Sequence, residues 1–509
     1  MNKIVIVGGG SAGWMTAATL IKTFPNKDIT LIESPNTPTV GVGESTIGGI
    51  KLWTKYLGID DKEFLKHTDG SYKLSIKFTD FHKKGSAFHY PFGEPDLEGN
   101  HAKLNDWWFK KFIYPDTPNS DYAECHFPQM AMVTENKIDY NEPRFLQFDF
   151  NRNTAYHFDA TKFGLWLKDH YCLPKGVKHI QEDITDIKSD ENGIVSLNNH
   201  KADLYIDCTG FQALLLDKTL KEPFESYEDM LPNNSAWATR IPYTDKENQL
   251  VPYTNCTALN NGWVWNIPLW SRIGTGYVYS DKYISDEEAL KEFKEHLNID
   301  TTNLEFKKLK MRVGIHDRLF VKNVVAIGLS AGFIEPLESN GLFTVHEFLI
   351  RLVRTLKRDK VSQWDKDNYT YQCKRLFRSF AEFVALHYAL SERTDTKYWQ
   401  DNFNKEWCGD LKKVDRNLVQ GFVDAAIQKD VEYHFDDTQG LHCIAAGMNW
   451  PPTDFETVQY YNQMNEKQYK KQWQPIVERL DMRKQDWKNF IKHWDNLYNF
   501  LKKNIYNDE

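Results

Sequence analysis

The sequence predicts an α/β fold that opens on a parallel sheet, and three stretches carry that expectation. They are an apolar run, KIVIV (3–7), a glycine cluster, GGGSAG (8–13), and a second apolar run, DITLIE, that ends on Glu33. Between the cluster and the second run lies WMTAATLIKTF, which reads as a helix. Strand, glycine turn, helix and strand, closed by an acid about twenty residues after the last glycine, is the order that lays a pyrophosphate on a helix N-terminus. Gly8 permits the tight turn, Gly10 lets backbone approach phosphate, and Gly13 lets the helix pack on the strand. Glu33 can accept from ribose hydroxyls. A Rossmann-like dinucleotide fold is the expectation.

Two later stretches extend it. ADLYIDCTG (202–210) has the form of a strand ending at Asp207 and Gly210, and VVAIGLSAGFIEPLESNGL (324–342) runs from a strand through a glycine-bearing turn into a helix. Nucleotide contacts returning this late suit an extended FAD that crosses the sheet more than a compact NAD domain. No second GxGxxG is present, since Gly274-Thr275-Gly276 lacks the third glycine and sits among β-type residues. The chain is therefore expected to have no NAD(P)H domain, and reduced flavin has to come from elsewhere.

Composition narrows the class. The net charge of the 509 residues is −8 with no long basic block, which argues against a nucleic-acid or anionic-membrane partner. No apolar run approaches the roughly 20 residues that span a bilayer, and MNKIVIVGGG moves straight into a strand without a signal-peptide pattern. Seven scattered cysteines without a CxxC pair predict free thiols in a reducing cytoplasm. With no HxH or HExxH among the histidines either, no metal site is expected.

One stretch asks for a separate reading. GWVWNIP (262–268) sets two tryptophans one residue apart, which taken alone is more often aromatic core than function. It stands in order with GGGSAGW (8–14), GVGEST (41–46), GSYKLSIKF (70–78) and IEPLESNG (334–341). On these five motifs the chain resembles the flavin-dependent halogenases of the tryptophan halogenase family over residues 1 to about 400, and more loosely beyond. The resemblance implies an FAD-binding GR2-type fold shared with flavin monooxygenases. Residues 1–340 would form the FAD and halide region with an antiparallel sheet, and 341–509 a mainly helical, closely packed substrate side.

It also implies a chemistry. Reduced FAD from a separate flavin reductase, with O2, oxidises chloride, bromide or iodide to hypohalous acid, which travels through a tunnel to a lysine beside a small aromatic substrate. Trp263, Trp265, Ile267 and Pro268 would line the tunnel and keep the aromatic away from the flavin. Lys73 and Glu338 match the catalytic pair, with the lysine polarising the oxidant or forming a haloamine, and the glutamate orienting it or taking the arenium proton. Without the resemblance, Lys73 and Lys77 would read as solvent-facing residues of an alternating strand, and Glu338 as a first-turn glutamate. Backbone N–H groups of Asn340 and Gly341 would hold halide, where the family commonly has threonine at the first position. FAD contacts map to Ser11 and Ala12, to Ser34 and Thr37, to Glu44 and Ser45, and to Ile184 (in a DITDI strand), Leu329 and Leu342. Tyr90, Phe92 and Phe435 map to the substrate. Val431, Asp436 and Gly440 replace family residues that hold an amino acid's polar ends or ring, so free tryptophan is not the expected substrate. An indole, a phenol or another electron-rich ring is. Two rival readings remain, a flavin monooxygenase or reductase and a catalytically silent flavin-binding homologue.

Overall fold

The computed structural model describes residues 1–37, 44–96, 104, 106–140, 148–358, 360–403, 438–451 and 466–507. Its first strand, Lys3–Val7, is buried on both faces from Ile4 onward, which is why it reads as an apolar run. It lies inside a six-stranded sheet in the order 320–321, 324–326, 204–207, 3–7, 28–33, 178–181. All neighbours are parallel except the outer pair 320–321 and 324–326. The chain leaves the first strand through the helix Ser11–Thr23 to the strand at one side, while the strand at its other side comes from Leu204–Asp207. That reversal puts a crevice at the carboxyl end of the first strand, where such sheets bind ligands.

A second layer is a seven-stranded sheet in the order 307–310, 235–241, 273–279, 262–268, 253–258, 75–79, 87–91, with the tryptophan strand at its centre. GSYKLSIKF is split between two sheets. Ser71–Lys73 joins a three-stranded sheet with Ala155–Phe158 and Glu44–Ser45, whereas Ser75–Thr79 joins the large sheet. Leu74 makes the crossing with its backbone satisfied, its N–H on the Pro252 carbonyl (2.7 Å) and its carbonyl taking the Phe92 N–H (2.8 Å). Lys73 therefore sits at a seam between sheets.

From Gly341 onward the described regular elements are helical: Gly341–Leu356, Gln363–Ala389, Lys397–Phe403, Thr438–Gly447, Glu466–Phe490 and Leu497–Leu501, followed by a π-helical turn. The first packs on Ser11–Thr23, and Glu466–Phe490 packs on Asp106–Ile113 and Asp121–His126. No helix among the described residues is long and apolar enough to cross a membrane.

Two local expectations are corrected. Ile184 is not in a strand. It lies between Lys178–Gln181 and Ile187–Asp190, because the Asn198 side-chain oxygen takes the N–H groups of Thr185 and Asp186 that a ladder would need. Phe490, Trp494, Leu497 and Leu501 recur at helical spacing in the sequence, which predicts one amphipathic helix, but they do not share one. The long helix stops at Phe490, and Asn496 caps a new one by accepting the Asn499 N–H.

Candidate active site

The glycine turn forms the floor of a cavity of about 670 Å³. Gly8 has φ +113°, and a Cβ there would fall 2.2 Å from the Cys208 carbonyl oxygen, so only glycine fits. A Cβ at Gly13 would fall 1.9 Å from the Gly8 oxygen, which makes Gly13 the close helix-to-turn contact and keeps it off the cavity. A Cβ at Gly10 would meet nothing within 4 Å. From Gly8, Gly10, Ser11 and Ala12 the cavity runs past Glu33, Ser34, Thr37 and Ile184. It continues along Leu329 to Leu342, with Glu44 and Ser45 on its wall. An open glycine cradle at a helix N-terminus, an acid at the end of the second strand and an elongated apolar remainder suit an extended dinucleotide. Burial, and then the nearby Asp159 carboxylate, push the Glu44 carboxyl up to about 7.

Trp263, Trp265 and Ile267 line the far part of this cavity. The two indoles share one face of their strand, 6.2 Å apart between centroids. Small cross-strand neighbours make room for them: Ala258 opposite Trp263, and Gly276 opposite Trp265, where a Cβ would be 2.3 Å from the indole. Pro268 does not line the cavity. Its carbonyl instead accepts the Ser71 hydroxyl at 2.9 Å. Buried Glu335, which the sequence reading missed, fixes Trp263 by accepting its indole N–H at 2.8 Å. The same carboxylate oxygen takes Asn233 and Tyr388, each at 2.8 Å.

Lys73 is absent from the cavity wall and 0% exposed. Its ammonium donates to the Thr46 carbonyl at 2.9 Å and to Ser339 Oγ at 2.8 Å. Ser339 donates on to Ser45 (3.0 Å), whose hydroxyl is 2.6 Å from that of Thr254. Ser339, Ser45 and Thr254 all line the cavity, so a chain of hydroxyls joins it to the amine. Burial brings the Lys73 pKa down to about 7, opposed by the nearby Cys256 and Glu338. The Phe92 ring lies 4.9 Å from the amine.

Glu338 ends the turn Pro336–Glu338 and is 1% exposed. Its Oε1 is 2.8 Å from Nε2 of His387, which is itself fully buried. His387 Nδ1 faces the Phe383 carbonyl at 3.1 Å, an acceptor, so Nδ1 carries a proton. This close contact between two fully buried side chains sets where the Glu338 carboxylate lies. Sequence spacing carried no sign of His387, which comes from the end of a long helix.

Among the substrate candidates, Tyr90 and Phe92 pack edge to face at 6.1 Å, and Tyr90 meets Phe383 in the same manner at 6.1 Å. Gly440 abuts both: a Cβ there would be 2.9 Å from the Tyr90 hydroxyl and 3.1 Å from the Phe383 ring. Phe435, Val431 and Asp436 lie outside the described residues. The expected residues thus form two groups, a cavity set and a set around Lys73, in contact at Ser339.

A family model described as tryptophan halogenase matches residues 3–463. Tryptophan 6-halogenase SttH of Streptomyces toxytricini is 35% identical over 423 residues, covering 79% of this chain and 80% of that protein. The structure titled VirX1 apo superposes with a TM-score of 0.88 at 36% identity, covering 99% of this chain and 100% of that one. BrvH, a flavin-dependent halogenase from Brevundimonas sp. BAL3, superposes with a TM-score of 0.85 at 27% identity, covering 99% of both chains. The chain belongs to the tryptophan halogenase family and is a flavin-dependent halogenase acting on an aromatic.

Proposed function

We propose that reduced FAD, delivered by a separate reductase, occupies the glycine-floored cavity, and that the aromatic ring binds on the far side of the tryptophan wall, beside Lys73. The observation that supports this most is the position of Lys73: buried, off the cavity, and joined to it by a hydrogen bond to Ser339. With O2, the bound cofactor supplies the two-electron oxidation that turns halide into hypohalous acid. The N-terminus of the helix Gly341–Leu356, with the backbone N–H groups of Asn340 and Gly341, holds the halide beside it. Trp263 and Trp265 shut the ring out of the cavity, so only the small oxidant passes.

Lys73 has two of its donors taken by Thr46 and Ser339, which leaves the third N–H of the ammonium for the oxygen of hypohalous acid. That donation draws charge from the halogen and raises its electrophilicity. The ring carbon bonds the halogen as the halogen–oxygen bond breaks. The departing hydroxide takes the Lys73 proton to become water, and Glu338 accepts the proton of the arenium carbon. The balance is arene plus hypohalous acid giving halogenated arene plus water.

The substrate is an electron-rich indole or phenol other than free tryptophan. Gly440 offers no side chain to an ammonium or carboxylate, and a site without such partners gives charged ends no return for their lost hydration. The test supplies a flavin reductase, NADH, FAD, O2 and chloride, bromide or iodide to a panel of indoles, phenols and free tryptophan, read by mass spectrometry. A bromine isotope doublet that disappears in Lys73→Ala supports the proposal. Oxygen insertion independent of halide, or peroxide as the sole product, overturns it.

A further inference from the structure

Asn340 presents an anomaly that the backbone halide site does not explain. Its side chain is 1% exposed, yet neither the amide nitrogen nor the amide oxygen has a hydrogen-bond partner. Buried amides are almost always paired, and an unpaired one marks a place where something else binds. Asn340 lines the cavity and stands at the N-cap of a 16-residue helix, Gly341–Leu356. Asparagine is among the best N-capping residues because its oxygen can take the first-turn N–H groups. Here it does not. With φ −80° and ψ −7° the backbone is helical rather than extended, and the side chain makes no capping bond. The first-turn N–H groups and the amide N–H groups are thus all left to an outside acceptor at the positive end of the helix.

The neighbours make the place specific. A Cβ on Gly341 would meet nothing within 4 Å, so the space beside Asn340 is open. On the other side Ser339, which caps the turn Pro336–Glu338, holds a left-handed backbone, φ +57°, that a residue with a Cβ keeps at a cost. That conformation accompanies the bond from Ser339 Oγ to Lys73.

We infer that the Asn340 side chain is itself a halide ligand, its amide N–H completing a site with the Gly341 backbone N–H, and that its oxygen then receives the O–H of hypohalous acid before Ser339 and Lys73. This rests on the proposed halogenation and adds a side-chain donor to it. Both unpaired atoms acquire a partner in turn: the nitrogen an anion, the oxygen a protonated product. The order of residues along the chain, Gly341, Asn340, Ser339, is the order from halide to amine. A bond to a charged acceptor is worth more than one between neutral groups, so its loss is measurable.

The probe is bromide, added without reductant to the full chain carrying oxidised FAD, with affinity read from bromine-81 line broadening and calorimetry. Asn340→Ala is expected to weaken bromide binding about tenfold or more, and Asn340→Thr less. Bromide-soaked crystals are expected to give an anomalous peak within hydrogen-bond distance of Asn340 Nδ2 and Gly341 N. Without halide, Asn340→Ala is expected to melt no lower than the parent, since it removes an unpaired amide, and bromide then raises the parent's midpoint more than the variant's. Unchanged bromide affinity in Asn340→Ala overturns the inference, and so does a loss confined to FAD affinity, which would assign the amide to the flavin. A lowered midpoint with the bromide response intact assigns it to the fold and overturns the inference too. Halogenation together with Asn340-independent bromide binding sinks this inference alone. Asn340-dependent bromide binding with no halogenated product sinks the functional reading alone.

Discussion

Lys73 Nζ lies 2.8 Å from Ser339 Oγ across 266 residues of sequence, and that bond joins the group around the amine to the cavity. Ser339 has φ +57°, so Ser339→Gly relieves the backbone while deleting the hydroxyl, and Ser339→Ala deletes it with the Cβ kept in place. Both are expected to keep flavin reoxidation by O2 and to lower product formation about tenfold, with the missing oxidant recovered in solution by a soluble scavenger. Product formation at the parental rate in Ser339→Gly refutes a role for the hydroxyl in the passage.

A lysine brought from 10.5 down to about 7 changes charge near neutral pH. The Phe92 ring and Glu338 both favour the ammonium, and the ammonium retains an N–H for the oxidant. The rate of halogenation is therefore expected to fall as pH rises through about 7, with flavin reoxidation lacking that limb. A rate that climbs through the same pH instead makes the neutral amine, and hence a haloamine, the reacting species.

The same shift governs stability. The folded pKa is below the unfolded one, so between about 7 and 10.5 the unfolded chain binds a proton that the folded chain does not, and stability rises with pH. Below that window the burial penalty on the ammonium is present in full. Lys73→Met removes the slope. Its stability relative to the parent is expected to decline by about 1.4 kcal/mol per pH unit across the window, up to the limit set by the shift, as read by denaturant unfolding at several pH values. A parallel pH dependence in both proteins contradicts a buried, depressed Lys73.

The glycine turn was legible because its chemistry is local: Gly8, Gly10 and Gly13 act on the backbone within one turn, and sequence order is spatial order there. Lys73 was not legible from pattern. Alternation predicts it outward, and what turns it inward is the change of sheet at Leu74, which depends on Pro252 and Phe92. Glu335, His387 and Cys256 were missed for a related reason. Each acquires its role only when 335–338, the end of the helix Gln363–Ala389 and the tryptophan sheet meet. The family motifs single out Lys73 and Glu338 as candidates, while the groups that touch them are recorded only in tertiary contacts.

Glu44 supplies a second pH effect of opposite sign. Its folded pKa is raised to about 7 from 4.5, so its contribution to stability is full below about 4.5 and is lost as pH rises through about 7. The carboxyl lines the cavity, and once ionised it repels an anionic dinucleotide. FAD affinity measured by fluorescence is expected to weaken severalfold between pH 6 and pH 8, and Glu44→Gln is expected to flatten that dependence. A variant with the parental pH dependence removes Glu44 as its source.

His387 is expected to act as a positioning residue for Glu338, because its Nε2 lies 2.8 Å from Oε1 with both side chains fully buried. If Glu338 takes the arenium proton, that contact fixes where its carboxylate faces. Without the imidazole the carboxylate loses the neighbour that orients it, and the proton transfer is expected to slow. His387→Asn is expected to lower kcat by about tenfold to a hundredfold with little change in KM. It is also expected to create a primary isotope effect with ring-deuterated substrate, since loss of the ring hydrogen becomes slow enough to limit turnover. Simple loss of folded enzyme lowers the rate for light and heavy substrate equally. A drop in kcat without an isotope effect therefore returns His387 to a structural role, and a drop with one assigns it to the proton that Glu338 carries away.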